Sequence, residues 1–223
     1  MNPLARLGFP APAPSRQGAL FIISAPSGVG KTTLIHEALT RDPRLRFSVS
    51  CTTRPPRPGE RDGVDYWFLD RASFVDGIRG GRFIEWAEVH GNLYGTDGAQ
   101  VAAYLGEGYD ILLDIDVQGA RQVKGKIPSA AAVFILPPSL AVLRERLAGR
   151  GTESEADMTR RLRAADEEIQ NAPWYDFLVV NDRLEEAAAD LAAIFRAARS
   201  WRNRRLPEVA HLFGRPFADV RDS

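Results

Sequence analysis

The chain is 223 residues long, 44% apolar and 26% charged, which is material for one sizeable core and an inserted subdomain. Its 29 Lys and Arg balance 29 Asp and Glu, so it is no generally basic nucleic-acid binder, and any anion site must be local. One cysteine, Cys51, excludes an internal disulfide and fits a reducing cytoplasmic compartment; His36, His90 and His211 show no metal-ligand spacing, and no apolar run reaches the roughly 20 residues of a membrane helix.

In chain order, residues 1–17 read as a flexible arm, because Pro10, Pro12 and Pro14 stand where a signal peptide would carry its apolar stretch. Residues 19–24 (ALFIIS) predict a strand, followed by a Gly-rich turn and a helix starting just after Lys31. Further strands are predicted over 45–51, 83–89, 109–115, 131–136 and 177–181, and helices over 118–124, 140–147, 155–170 and 184–202. Near-continuous apolar strands alternating with helices predict an α/β fold, an open parallel sheet with helices on both faces. Between about residues 52 and 100 the texture turns polar, Pro-rich and aromatic, which predicts an inserted subdomain rather than another βαβ unit. Gly149-Arg150-Gly151 reads as a hinge between two helices, and the five arginines from Arg196 to Arg205 read as a solvated helix end. Beyond them, Leu212, Phe213 and Phe217 leave docking on the core or on a second subunit open.

The strongest local signal is Ala25-Pro26-Ser27-Gly28-Val29-Gly30-Lys31-Thr32, set between a strand and a helix as a phosphate-binding loop must be. Its glycines let backbone N–H groups converge on phosphate oxygens, Lys31 reaches the β/γ-phosphates, and the Thr32 hydroxyl suits Mg²⁺. Only Lys31, Lys124 and Lys126 are lysines, so Lys31 is hard to dismiss as background. Asp114 closes the apolar run ILLD where a carboxylate could reach Mg²⁺ through water, and Asp116 follows two residues on. A second signal, Ser50 to Glu60 (SCTTRPPRPGE), sets Arg54 and Arg57 on a Pro-restricted backbone; it reads either as a two-Arg anion clamp or as a solvated charged turn.

Taken in order, APSGVGKTT, SVSCTTRPPRPGE, GVDYWF, FIEWAEVHGNLYGT, ILLDIDVQGA and RLAGRGTESE resemble the guanylate kinases, which convert GMP to GDP with MgATP. The resemblance runs from about Ala19 to Phe195. It implies a P-loop NTPase-type parallel sheet carrying an inserted mixed α/β nucleoside-monophosphate-binding subdomain and a mobile lid. The implied divisions are a kinase core over 18–51 and 101–205 with a lid near 137–170, a GMP subdomain over 52–100, and a tail over 206–223. It implies that Ser27, Gly28, Val29, Gly30, Lys31, Thr32 and Thr33 bind ATP, with Arg146 and Asn181 on its adenine side and Arg150 and Arg161 closing on the transferred phosphate. Arg54, Arg57, Tyr66 and Tyr94 match the residues that hold the GMP phosphate, and Ser50, Glu85, Thr96 and Asp116 those that contact guanine. The cofactor implied is Mg²⁺ with ATP as co-substrate; dGMP is expected beside GMP, and neither nucleic acid nor membrane is expected as a partner.

Two other readings remain at this point. A guanylate-kinase-like module that binds phosphorylated or acidic peptides shares the fold without catalysis, but such modules lack a working P-loop. A P-loop kinase acting on another phosphorylated small molecule is the nearer alternative, and guanine discrimination separates the two.

Overall fold

A computed structural model describes residues 18–89, 91–148 and 155–214; the expectations for the N-terminal arm, for Gly149-Arg150-Gly151 and for Phe217 lie outside the described residues. The first half runs β1 (Leu20–Ser24), α1 (Lys31–Arg41), β2 (Leu45–Phe47), β3 (Cys51–Thr52), β4 (Trp67–Phe68), α2 (Arg71–Arg79), β5 (Phe83–Val89), β6 (Asn92–Asp97) and α3 (Gly98–Gly106). The second half runs β7 (Asp110–Asp114), α4 (Val117–Lys126), β8 (Ala131–Leu136), α5 (Leu140–Ala148), α6 (Glu155–Ile169), β9 (Phe177–Val180), α7 (Leu184–Arg199) and α8 (Arg202–Leu212).

β2, β7, β1, β8 and β9 form, in that order, a wholly parallel sheet. Alternate side chains serve its two faces. Phe21 and Ile23 join Leu34 and Ile35 of α1, Leu143 and Leu147 of α5 and Leu191 and Phe195 of α7, whereas Leu20 and Ile22 join Val101 of α3 and Ala120 and Val123 of α4. Phe21 and Phe195 meet edge to face at 4.5 Å in the first of these layers.

A second sheet, ordered β4-β3-β6-β5 and mixed in direction, closes over Cys51, Phe74, Phe83 and Leu93. The strand predicted over 45–51 is therefore two strands in two sheets. Its first part pairs with β7, and after the polar break at Ser48 to Ser50 the fully buried Cys51 and Thr52 pair with β6. Three helices, α2, α3 and α8, escaped the sequence reading, although the first two carry a readable start: Asp70 accepts from Ser73 N, and Asp97 accepts from Ala99 N and Gln100 N.

The Arg-rich helix end is not simply solvated. The long predicted helix stops at Arg199, whose guanidinium is buried between Asp110 (Nε to Oδ2, 2.5 Å) and Asp42 (Nη1 to Oδ2, 2.6 Å). After the break Trp201 stacks on Phe177 at 6.3 Å, and Arg204 donates to the carbonyls of Gly18 (3.1 Å) and Ser129 (2.5 Å). No described helix is long and apolar enough to cross a membrane.

Candidate active site

Chain order reverses around β1, which lies between β7 and β8, and an open α/β sheet binds ligands at the carboxyl ends of its strands beside such a switch point. Those ends deliver the loop after Ser24, Asp114 and Asn181 to one edge. Ile23 pairs in register with Asp114, so the loop leaves β1 directly beside that carboxylate.

Gly28 and Gly30 take φ of 90° and 97°, and a Cβ on Gly30 would stand 2.7 Å from Asn181 Nδ2, so the loop needs glycine there for conformation and for space. Gly30 is also the residue before α1, which turns the free amides of the first helical turn and the positive end of the helix dipole toward the loop. Lys31 Nζ sits 2.5 Å from Asp114 Oδ1, and Thr32 and Thr33 are exposed beside it. Asn181 is buried and donates Nδ2 to Val29 O at 2.8 Å, so its side chain props the loop. Arg146 donates Nη1 to Asn181 O (2.9 Å) and Nη2 to Asp182 O (3.3 Å). Together Gly28, Val29, Gly30, Thr33, Arg146 and Asn181, with Asp182 and Leu184, line a cleft of about 260 Å³. Arg161 reaches in from α6 and donates Nη2 to Ser27 Oγ at 2.9 Å. Arg150 lies outside the described residues.

The inserted sheet supplies two further groups. At its open end Arg54 donates to Glu60 (2.8 Å) and lies over the rings of Tyr66 (5.2 Å) and Phe68 (6.0 Å). Tyr66 meets Tyr94 edge to face at 6.0 Å. Hydrogen bonding to Glu60 holds the Arg54 guanidinium above its ordinary pKa, with a Tyr94 hydrogen bond adding to it, and the same contact with Arg54 pulls the Glu60 carboxyl down. Glu60 also accepts from the Arg57 N–H at 2.8 Å, so one carboxylate holds the Arg54 guanidinium and the Arg57 backbone around the turn.

The other group surrounds Glu85, which is 4% exposed. Thr96 Oγ1 donates to Glu85 Oε1 at 2.5 Å, from the position opposite Glu85 in the β5–β6 register. Burial pushes the Glu85 carboxyl up to about 7; the Thr96 hydrogen bond opposes that rise and the charge of Asp116 adds to it. Asp116 caps α4 by accepting from Gly119 N at 2.8 Å. Gly119 touches Glu85 directly, since a Cβ on it would stand 2.7 Å from Glu85 Oε2. Ser50 precedes β3, its carbonyl accepting from Trp67 N at 2.9 Å.

The structure thus joins the predicted residues into one run: Lys31 to Asp114, along the chain to Asp116, through Gly119 to Glu85 and Thr96, with Tyr94 two residues before Thr96. Because a strand alternates its side chains, Tyr94 and Thr96 share one face about 7 Å apart. The sequence reading missed Glu168, in the last turn of α6. Burial raises its carboxyl while the Lys31 charge pulls it down and that of Asp116 raises it, so it belongs to the same electrostatic neighbourhood. Nothing local distinguishes it from Asp166 and Glu167 beside it. Among the described residues no group of three or more His, Cys, Asp or Glu gathers as a metal cage.

The family model described as guanylate kinase matches residues 17–198. A guanylate kinase from Thiobacillus denitrificans is 48% identical over 201 residues, covering 90% of this chain and 96% of that one. One from Neisseria gonorrhoeae is 50% identical over 197 residues, covering 88% and 96%. The crystal structure of guanylate kinase from Anaplasma phagocytophilum superposes with a TM-score of 0.72 at 33% identity, covering 92% of this chain and 98% of that one.

Proposed function

The chain belongs to the guanylate kinase family and phosphorylates GMP at the expense of ATP, and we propose that the two sides of its cleft hold one nucleotide each. On the acceptor side, Arg54, Arg57, Tyr66 and Tyr94 hold the GMP phosphate, and Ser50, Glu85, Thr96 and Asp116 contact guanine. The spacing on β6 supports this, because Tyr94 and Thr96 point the same way and stand apart as a phosphate and a base do. Guanine presents N1–H and N2–H₂ donors side by side, which an ionised Glu85 accepts together; adenine offers no such pair and would leave a buried acceptor unmatched, at a cost of about 1–3 kcal/mol or more. The family resemblance extends the proposal to dGMP as a second acceptor.

On the donor side, the amides and hydroxyls of Ser27 to Thr33 cradle the ATP phosphates, and Arg146 and Asn181 border the adenine end of the cleft. Lys31, paired with Asp114 in the free protein, turns to the β/γ-phosphates when they arrive. The Thr32 hydroxyl and the partly exposed Asp114 carboxylate fit Mg²⁺, which keeps most of its waters and takes few protein ligands. Bound there, it would neutralise charge on the phosphate oxygens. The acceptor phosphate, with its second pKa about 6, is already largely anionic at neutral pH and needs no general base. Catalysis is then in-line positioning plus charge neutralisation, completed by Arg161 and Arg150 as the lid over 137–170 and the subdomain over 52–100 close on the core over 18–51 and 101–205.

The observation that carries this reading is the geometry from Lys31 to Glu85: Lys31 pairs with Asp114, Asp116 follows two residues on and accepts from Gly119 N, and Gly119 lies against Glu85. Lys31→Ala is expected to abolish ADP formation while GMP still binds by calorimetry. Near-normal turnover in folded Lys31→Ala would contradict the assignment.

A further inference from the structure

β5 is an edge strand of the inserted sheet, and an edge strand leaves a row of N–H and C=O groups unpaired. Here that edge is met by one face of α4. Gln122 makes a two-way exchange with the main chain of Trp86, its Nε2 donating to Trp86 O at 2.8 Å and its Oε1 accepting from Trp86 N at 3.2 Å. One turn further, Lys126 Nζ donates to Phe83 O at 3.4 Å. One turn earlier, Gly119 lies against the carboxylate of Glu85. Positions 119, 122 and 126 are spaced i, i+3 and i+7, so they share a helix face. That face grips the residues on either side of Glu85 and shapes the space its carboxylate occupies.

We propose that Gly119 and Gln122 are specificity-determining positioning residues of the guanine site, Gln122 by fixing the main chain beside Glu85 and Gly119 by leaving room for its carboxylate. The inference rests on Glu85 being the guanine reader. Gly119 does not hold a positive φ, so its backbone accepts a side chain, and helix propensity favours alanine over glycine. The obstacle to a side chain is the carboxylate: a Cβ would stand 2.7 Å from Glu85 Oε2, a distance at which something must shift, and 3.3 Å from its Cδ. The group able to shift is the Glu85 carboxylate itself, which Thr96 holds from the other side at 2.5 Å. Gly119→Ala is therefore expected to keep the fold and to displace the carboxylate that accepts from guanine. Gly119 N also caps with Asp116, so a single backbone position sets both carboxylates of the guanine site.

The test compares kcat/KM for GMP and IMP, which lacks the 2-amino group, in wild type, Gly119→Ala, Gln122→Ala and Glu85→Gln, with KM for ATP and melting temperature measured alongside. The expected result is a fall of about tenfold or more in the GMP-over-IMP ratio for both α4 variants, carried by KM for the nucleoside monophosphate, with KM for ATP and melting temperature near wild type. A changed ratio in Glu85→Gln with an unchanged ratio in both α4 variants overturns this inference and leaves the guanine-site reading standing. An unchanged ratio in Glu85→Gln overturns that reading and this inference together. Gln122 is only partly buried, so Gln122→Ala keeps the test decisive should Gly119→Ala fold poorly.

Discussion

At the residue scale the proposed chemistry concentrates in Lys31 and Glu85. Lys31 sits against Asp114, a pairing that keeps the ammonium in place and its charge balanced until phosphate competes for it. Glu85 is poised differently, since burial pushes its carboxyl from 4.5 up to about 7. The free folded enzyme then holds a proton that the unfolded chain releases, so this contribution to stability is complete below pH 4.5 and is lost as pH rises through about 7. In the proposed site GMP binding runs the other way, because guanine pairs with the ionised form. KM for GMP is expected to fall by about tenfold between pH 6 and pH 8 in wild type beyond any change in Glu85→Gln, the acceptor phosphate's own titration being common to both. Parallel pH profiles for the two proteins would show that Glu85 stays ionised throughout. Cys51, fully buried with its thiol pushed up to about 11, is expected to resist thiol reagents in the native enzyme and to react on unfolding. Rapid modification without loss of structure would refute its burial.

At the element scale, the loop after β1 and the helix α1 could be read from sequence because strand, glycines, lysine and helix are contiguous, and contiguity is what a sequence displays. Of the second sheet only β5 could be read, because β3 and β4 have two residues each and no periodicity shows in so short a run. Arg199 was misread for a related reason: its partners Asp42 and Asp110 are distant in sequence, so its charge balance exists only in the fold. The same holds for Gly119, whose contact with Glu85 crosses from core helix to inserted strand. Arg199 also carries a stability prediction. Asp110 is fully buried, with Oδ1 accepting from Ala19 N at 2.7 Å and Oδ2 from Arg199. Arg199→Met would leave that carboxylate without its cation, and urea unfolding is expected to show a loss of about 3–5 kcal/mol. A loss under about 1 kcal/mol would mean that water or another group replaces the arginine.

At the scale of the whole molecule, the parallel sheet brings the loop after β1, Asp114 and Asn181 to one edge, and α4 ties the inserted sheet to that edge through Trp86 and Phe83. If the subdomain turns about this seam, GMP and a non-hydrolysable ATP analogue together should compact the enzyme in solution scattering more than either alone. Equal scattering with and without both ligands would argue for a cleft already closed. In the proposed mechanism one cleft transfers phosphate from ATP and selects guanine by a buried carboxylate. Its most direct test is ADP formation from MgATP with GMP, dGMP, AMP, CMP and UMP as separate acceptors and a no-acceptor control. Turnover confined to GMP and dGMP is expected. Comparable turnover with AMP would contradict the guanine-reading role of Glu85 and Asp116, and silence with every acceptor from folded enzyme would contradict the transfer itself.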